Sequence, residues 1–261
     1  MSSAESKSRE VPPSRRVADE LRLAITSGDL APGDQLPSER VLAERHQVAR
    51  NTAREAIRIL ADEGLVTAIH GKGVFVRKPQ RLLRFGSERY SNRVREETGL
   101  SPYRAEVSKQ GRTARVDCTS ITRVPPPEDI AERLNLRPDT DTVARRENWY
   151  YADEEPVQVG VTYIPWTIAD GSPLGNSAQM GKGSLYARFE ERGHRITRVR
   201  EEISARMPSP DETRGLAIPD GVPVVDVVHT GIDQDGQPFE VTHFVMRGDL
   251  NGLDYNMPVE D

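Results

Sequence analysis

The chain has 261 residues, 30% of them charged, with a formal net charge of −5 and one cysteine. At ~150 residues per domain this length makes two units, and the lone Cys118 excludes an intramolecular disulfide framework and reads as an ordinary, partly buried thiol. No apolar run approaches the ~18 residues of a membrane helix, and the first thirteen residues are polar and unlike a secretory signal, so a cytoplasmic protein is expected.

The charge is unevenly spread. Residues 1–81 hold 14 Lys and Arg against 11 Asp and Glu, a net of +3, whereas the remainder carries −8. A mildly basic head on an acidic body suits a molecule that sets only its N-terminal part against phosphate. A disordered tail is expected over residues 1–13. Residues 14–27 then repeat apolar side chains at Val17, Leu21, Ala24 and Ile25, the spacing of a helix with one buried face, and Gly28 stops it. Pro32-Gly33 makes a turn, and Gln35-Leu36 has room only for a very short strand. Ser38 caps a second helix through Val41, Leu42 and Arg45 to about His46. Residues 47–49 form a three-residue turn.

A third helix over 50–63 carries Ala53, Ala56, Ile57 and Leu60 as a compact apolar stripe, with Arg50, Asn51, Arg54 and Arg58 on the opposite face. The alanines permit close packing, while guanidinium and amide groups face out where a major groove would receive them. Residues 65–69 and 74–77 alternate like strands around the tight turn His70-Gly71-Lys72-Gly73. Helix, helix, turn, helix and hairpin make a winged helix-turn-helix over residues 14–78. The alternative, a merely solvated charged face, leaves the second cation at the hairpin tip unexplained.

The string LAPGDQLPSERVLAERHQVARNTAREAIRILADEGLVTAIHGKGVFV resembles the DNA-binding domain of the GntR family of bacterial transcription factors along nearly its whole length. The resemblance implies that Arg40, Arg50, Asn51, Thr52 and Arg54 contact double-stranded DNA and that Gly71 and Lys72 of the wing reach the minor groove. Ala49 stands where the family usually has Ser or Thr, so that hydroxyl's phosphate contact is not implied here. Arg50 and Arg54, one turn apart, are placed for bidentate bonds to guanine, whereas Arg40, Thr52 and Lys72 suit backbone phosphate. One such head reads only a few base pairs, so two heads on an inverted-repeat operator, and hence a homodimer, are expected.

After a short basic linker at 79–84 the pattern turns mixed, over residues 85–261. Residues 105–124 alternate loosely as strand, broken at Gln110-Gly111. Three prolines at 125–127 open a helix with Glu128 and Asp129 in its first turn, running through Ile130, Leu134 and Leu136. Strands at 142–151 and 157–164 form a hairpin around residues 153–156. A helix at 185–192, a strand at 196–207 and a short helix at 209–216 follow. A last hairpin pairs 222–233 with 239–247 around Asp235-Gly236. Strand pairs with helices between them indicate an α+β domain on an antiparallel sheet.

The stretches YYADEEPVQVGVTYIPW, GSLYARFEERGHRITRVREEISARMPSPDE and VPVVDVVHTGIDQDGQPFEVTHFVMRGD resemble the UTRA domain of the HutC subfamily. That resemblance implies a fold similar to chorismate lyase, dimerisation through this domain, and binding of small effectors, often phosphorylated sugars or organic acids. On the strand at 145–151 Arg146, Asn148 and Tyr150 point one way and Arg145, Glu147 and Trp149 the other. Arg146 is then a candidate anion ligand or, alternatively, a surface arginine paired with a carboxylate. Gly181-Lys182-Gly183-Ser184 precedes a helix, where Ser184 serves an anion site or a plain N-cap. Glu240 matches the place where the family contacts its ligand through a carboxylate, or is an exposed strand residue; Tyr163 completes the candidate set. Met246 stands near where the family often has an aromatic.

No enzyme is expected. There is no nucleophile elbow, HExxH or GxxxxGK[ST], and the histidines at 46, 70, 194, 229 and 243 lack ligand spacing, so neither cofactor nor metal is expected. The sequence therefore points to a DNA-binding regulator, by family default a repressor, modulated by a small anionic or phosphorylated effector. The competing reading is a ligand-independent repressor of a plasmid or mobile-element locus.

Overall fold

The computed structural model describes residues 11–77, 81–86 and 89–257. Its contacts divide the chain into a first unit, which runs up to Gln80 and takes in Pro219–Val222, and a second unit made of the rest.

In the first unit α1 (Pro13–Ser27) opens on a proline and closes at Gly28, whose left-handed φ of 87° requires no Cβ. The second helix, α2 (Glu39–His46), is capped by Ser38, whose hydroxyl accepts from the Val41 N–H at 3.4 Å. Gln47, also left-handed, ends it, and three residues later α3 (Arg50–Asp62) begins. Strands β1 (Val66–Ile69) and β2 (Gly73–Val76) pair antiparallel, with Val66 opposite Val76. The expected short strand survives as a single bridge from Gln35 to Phe75. Ala53, Ala56 and Leu60 of α3 meet Val17, Ala18 and Leu21 of α1 and Leu42 of α2 in one core. Leu42 and Leu60 are fully buried, each contributing about 1.5–3 kcal/mol. The tail expected over 1–13 lies outside the described residues up to residue 10, and Pro13 already belongs to α1.

The second unit starts earlier than the linker expected at 79–84 allows. Residues 78–80 lie outside the described residues, but β3 (Leu82–Phe85) is already a strand. Its partner comes from the far end of the sequence, a pairing no local pattern reveals. Next come α4 (Asn92–Thr98) and α5 (Pro102–Lys109). Residues 105–109, expected as strand, are thus helical. Ser101 accepts from the Arg104 N–H, Pro102 fills the first helical position, and Tyr103, Glu106 and Val107 bury one face.

The elements that follow are β4 (Ala114–Val124), α6 (Glu128–Arg133), β5 (Val143–Ala152), β6 (Glu155–Pro165), the short turns α7 (Trp166–Ala169) and α8 (Pro173–Asn176), α9 (Ser184–Glu191), β7 (Ile196–Arg206), α10 (Pro210–Gly215), β8 (Val224–Asp233), β9 (Pro238–Arg247) and β10 (Asn251–Asp254). Six strands form one antiparallel sheet in the order β4-β5-β6-β9-β8-β7, and β10 pairs in parallel with β3. The first hairpin turns on two residues only, Asp153 and Glu154, both with positive φ, so β6 starts at Glu155.

One face of the sheet is sealed by α6, with Ile130 and Leu134 on Val143 and Val241. On the other face Phe189 of α9 packs against Phe239 with ring centroids 4.7 Å apart, beside Ile164 and Leu174. Between these apolar anchors the same face carries a polar row. The register sets Arg146 beside Thr162, Thr162 beside Thr242, Thr242 beside His229, and His229 beside Glu201, across five adjacent strands. Directly paired residues in an antiparallel sheet share a face, so all five side chains project to one side. Among the described residues no helix is long and apolar enough to cross a membrane.

Candidate functional site

Two arrangements stand out, one in each unit. In the first, Arg50, Asn51 and Arg54 of α3 and Arg40 of α2 are exposed, and Thr52 is half-buried beside them. Glu39 organises this face. Its Oε1 accepts from Arg54 Nε at 2.9 Å and its Oε2 from Arg54 Nη2 at 2.9 Å and Arg50 Nε at 3.2 Å. The Arg54 bonds, with help from Arg50, hold the Glu39 carboxyl below the usual carboxylate range. Arg40 pairs with Glu44 at 2.7 Å, and Arg58 is taken up by Glu55. Ala49 occupies the N-cap of α3 without a side-chain bond. At the wing, Gly71 adopts φ 73° and Lys72 is exposed. Gln35 braces this turn by donating to the Lys72 carbonyl at 2.8 Å.

The second arrangement is a cavity of about 380 Å³ on the polar face of the sheet, a size that suits a small metabolite. Its floor is Arg146, Asn148 and Tyr150 of β5, Thr162 of β6, and Glu240, Thr242 and Phe244 of β9; α5, α9 and the loops before them supply the walls. Ser184 and Gly181 reach it, and so do Arg89, Tyr90 and Cys118. The alternation expected on β5 is therefore the one observed for Arg146, Asn148 and Tyr150. Tyr163 is corrected: one residue beyond Thr162, it faces the other side of the sheet and packs on the cluster of Ile130 and Leu134.

Arg146 is 1% exposed, which removes the reading as a surface arginine. Its Nη1 donates to the Leu174 carbonyl at 2.7 Å and its Nη2 to the Ser177 carbonyl at 2.8 Å, just ahead of the loop residues that line the cavity. Nε has no hydrogen-bond partner, and none of the ion pairs among the described residues involves this guanidinium. Burial accordingly depresses its proton affinity. Ser184 is not an N-cap either: Gly183 holds that position, and Ser184 follows it at φ 58° without a side-chain cap.

Glu240 is 1% exposed, not a surface strand residue. It accepts from Tyr186 Oη at 2.7 Å and Thr242 Oγ1 at 2.8 Å, and its Oε1 lies 3.1 Å from His229 Nε2. Burial alone would raise its pKa, but the His229 charge and these bonds leave it lowered. Glu201, on the far side of His229, is likewise held well below the carboxylate range against the effect of burial, by His229, Arg84 and Tyr255. Sequence reasoning did not single out Tyr186, Glu201 or His229. The signal lay in the hairpin around Asp235-Gly236: counting outward from that turn sets His229 opposite Thr242, two residues from Glu240 and on the same face.

A winged helix-turn-helix with exposed arginines on its third helix, joined in one chain to a sheet domain that encloses a polar cavity, is the architecture of a DNA-binding regulator with a small-molecule effector domain. Residues 13–76 match the gntR family of bacterial regulatory proteins and residues 109–250 the UTRA domain. The chain belongs to the GntR family and carries a UTRA effector domain. It is 30% identical over 249 residues to the HTH-type transcriptional regulator Rv0792c of Mycobacterium tuberculosis, covering 95% of this chain and 87% of that one. With the HTH-type transcriptional repressor NagR of Bacillus subtilis it shares 25% identity over 244 residues and 93% of each chain. PhnF from Mycobacterium smegmatis has the same fold, with a TM-score of 0.59 at 24% identity over 94% of this chain and 100% of that one. Rv0792c and NagR both carry the name of transcriptional regulators.

Proposed function

We propose that the protein is a homodimeric transcriptional repressor that binds an inverted-repeat operator and is released or modulated by a small anionic effector in the UTRA cavity. For DNA, the supporting observation is the fork of Arg50 and Arg54 around Glu39, which presents two preset guanidinium groups from one helix. They read bases in the major groove together with Asn51, while Arg40 and Thr52 hold phosphate and Gly71 and Lys72 enter the minor groove. For the effector, the observation that carries the reading is Arg146: a guanidinium sealed into the cavity floor without a paired carboxylate places surplus positive charge where a ligand sits. Asn148, Tyr150, Ser184 and Glu240 supply neutral and acceptor contacts around it. Recognition helices of a dimer must lie about one helical turn of DNA apart, ~34 Å, so an effector that changes how the two heads are spaced changes operator affinity.

The experiment selects operator fragments from genomic DNA with the purified protein and follows their release in a mobility-shift titration with sugar phosphates and organic acids. Fragments sharing an inverted repeat, bound by a dimer and released by an anionic metabolite, support the reading. Operator binding that no metabolite alters, together with no thermal shift, would instead favour a ligand-independent repressor; an effector at 100 times its Kd adds about 2.7 kcal/mol.

A further inference from the structure

His229 is the histidine of the polar row, and the effector reading gives it no role. Its ring is 1% exposed, and each nitrogen faces a carboxylate: Nδ1 lies 3.1 Å from Glu201 Oε1 and Nε2 lies 3.1 Å from Glu240 Oε1. An ionised carboxylate only accepts, so a neutral imidazole donates to one of these groups and turns a lone pair on the other unless a hydroxyl donates there. Tyr90 Oη lies 3.1 Å from Nδ1 and Tyr186 Oη 3.3 Å from Nε2, but each also reaches a carboxylate oxygen, Tyr90 that of Glu201 at 3.2 Å and Tyr186 that of Glu240 at 2.7 Å. The groups around the ring come from β3, β7, β9 and α9 and from the segments before α4 and after β10. Arg84 of β3 bonds Glu201 and Tyr90; Tyr90, before α4, stacks on the ring at 4.9 Å between centroids. Tyr186 of α9 donates to Glu240, Tyr255 beyond β10 donates to Glu201, and Thr242 of β9 donates to Glu240. Nearby, Arg89 is taken by Glu106. Two buried carboxylates thus face one guanidinium, Arg84, and a second positive charge is needed to balance them.

We propose that His229 is an imidazolium that balances Glu201 and Glu240, and that the cavity therefore binds anions in a proton-linked way, tightly while His229 keeps its proton and weakly once it is lost. This rests on the anion-binding reading of the cavity. With the proton in place, Arg84, Glu201, His229 and Glu240 sum to zero, Arg89 and Glu106 cancel, and Arg146 is left as a surplus positive charge. Without it, the carboxylate of Glu240, which itself lines the cavity, is uncompensated and cancels the Arg146 surplus. Burial opposes charging the ring, yet Glu240 and Glu201 outweigh it and raise its pKa above the ordinary 6.5. The switch therefore lies on the alkaline side of an ordinary histidine.

The test uses the full-length protein labelled with nitrogen-15 at histidine, its ring signals followed from about pH 6 to about pH 9, with His229→Gln assigning the residue. Two protonated ring nitrogens at neutral pH, titrating on the alkaline side of an ordinary histidine, are expected; a neutral tautomer at neutral pH overturns the proposal, and where His229→Gln does not fold, single replacements of His46, His70, His194 and His243 assign the remaining signal by elimination. In a second arm sulfate, whose charge is constant over this range, is titrated by calorimetry. Its affinity is expected to fall roughly ten-fold as pH rises through the range in which the His229 ring signals titrate in the first arm, and less than about two-fold over the same range in His229→Gln. Sulfate binding that Arg146→Met abolishes but pH leaves unchanged overturns the linkage alone. No sulfate binding at any pH overturns the linkage and the anion-binding reading of the cavity together.

Discussion

Glu39 and Arg54 meet through two hydrogen bonds of 2.9 Å each, one to either carboxylate oxygen, although they lie fifteen residues apart on different helices. A bidentate pair fixes both the position and the plane of the guanidinium, so α2 aims a side chain that α3 carries. The free protein thus holds Arg54 in one orientation at low entropic cost before any base is met.

Replacing Glu39 by Gln should therefore loosen Arg50 and Arg54 without unfolding the head, since the pair lies near the surface. The expected outcome in competition binding is a narrower gap between operator and random DNA, with melting temperature little changed. Arg50→Ala with Arg54→Ala should remove operator preference by roughly ten-fold or more while the protein stays folded. A folded double variant that still picks out its operator as well as the wild type would sink the DNA assignment.

Gly73 begins β2 at φ 121°, and a Cβ there would stand 2.4 Å from Gln35 Nε2. Gly73→Ala is expected to push Gln35 off the Lys72 carbonyl and unsettle the wing. Operator affinity should fall with the preference among sequences kept, because Lys72 is assigned to sequence-independent contacts. The slope of affinity against salt concentration checks this, and should become shallower.

Leu60 is fully buried where α3 packs on α1 and α2. Leu60→Ala is expected to cost about 2–5 kcal/mol of stability in the first unit. Two transitions in calorimetry, with only one moved down, are the expected signature, since the core of the second unit is separate.

Arg146 ties the carbonyls of Pro173, Leu174 and Ser177, just ahead of the loop residues that line the cavity, so Arg146→Met has a structural as well as a binding consequence. Leaving those buried acceptors unmet is expected to cost about 1–3 kcal/mol. A bound anion should no longer raise the melting temperature.

His229 also carries a pH dependence of stability. Its pKa is raised on folding, so its contribution is fully present below about 6.5 and is lost as pH rises through the folded value. The melting temperature of the wild type relative to His229→Gln is expected to decline through that alkaline window and to be flat below pH 6 or so. A difference that grows with pH would contradict the imidazolium assignment.

The first unit was legible residue by residue, because its signals are local. Caps, glycines and the alanine stripe act within a few positions of themselves, so Ser38, Gly28 and Leu60 do in the fold what their neighbours in sequence imply. The alternation of Arg146, Asn148 and Tyr150 was legible for the same reason, a strand's period being two. What the tertiary structure alone decided are the matters of partnership. Only the pairing of β3 with β10 makes residues 82–84 part of the second unit, only the packing of α6 assigns Tyr163 to the far face, and only the order β5-β6-β9-β8-β7 sets Arg146, Thr162, Thr242, His229 and Glu201 in one row. Propensity and periodicity describe a segment by itself, whereas the balance of charge in a cavity depends on which distant segments lie side by side, and that is determined only when the sheet closes.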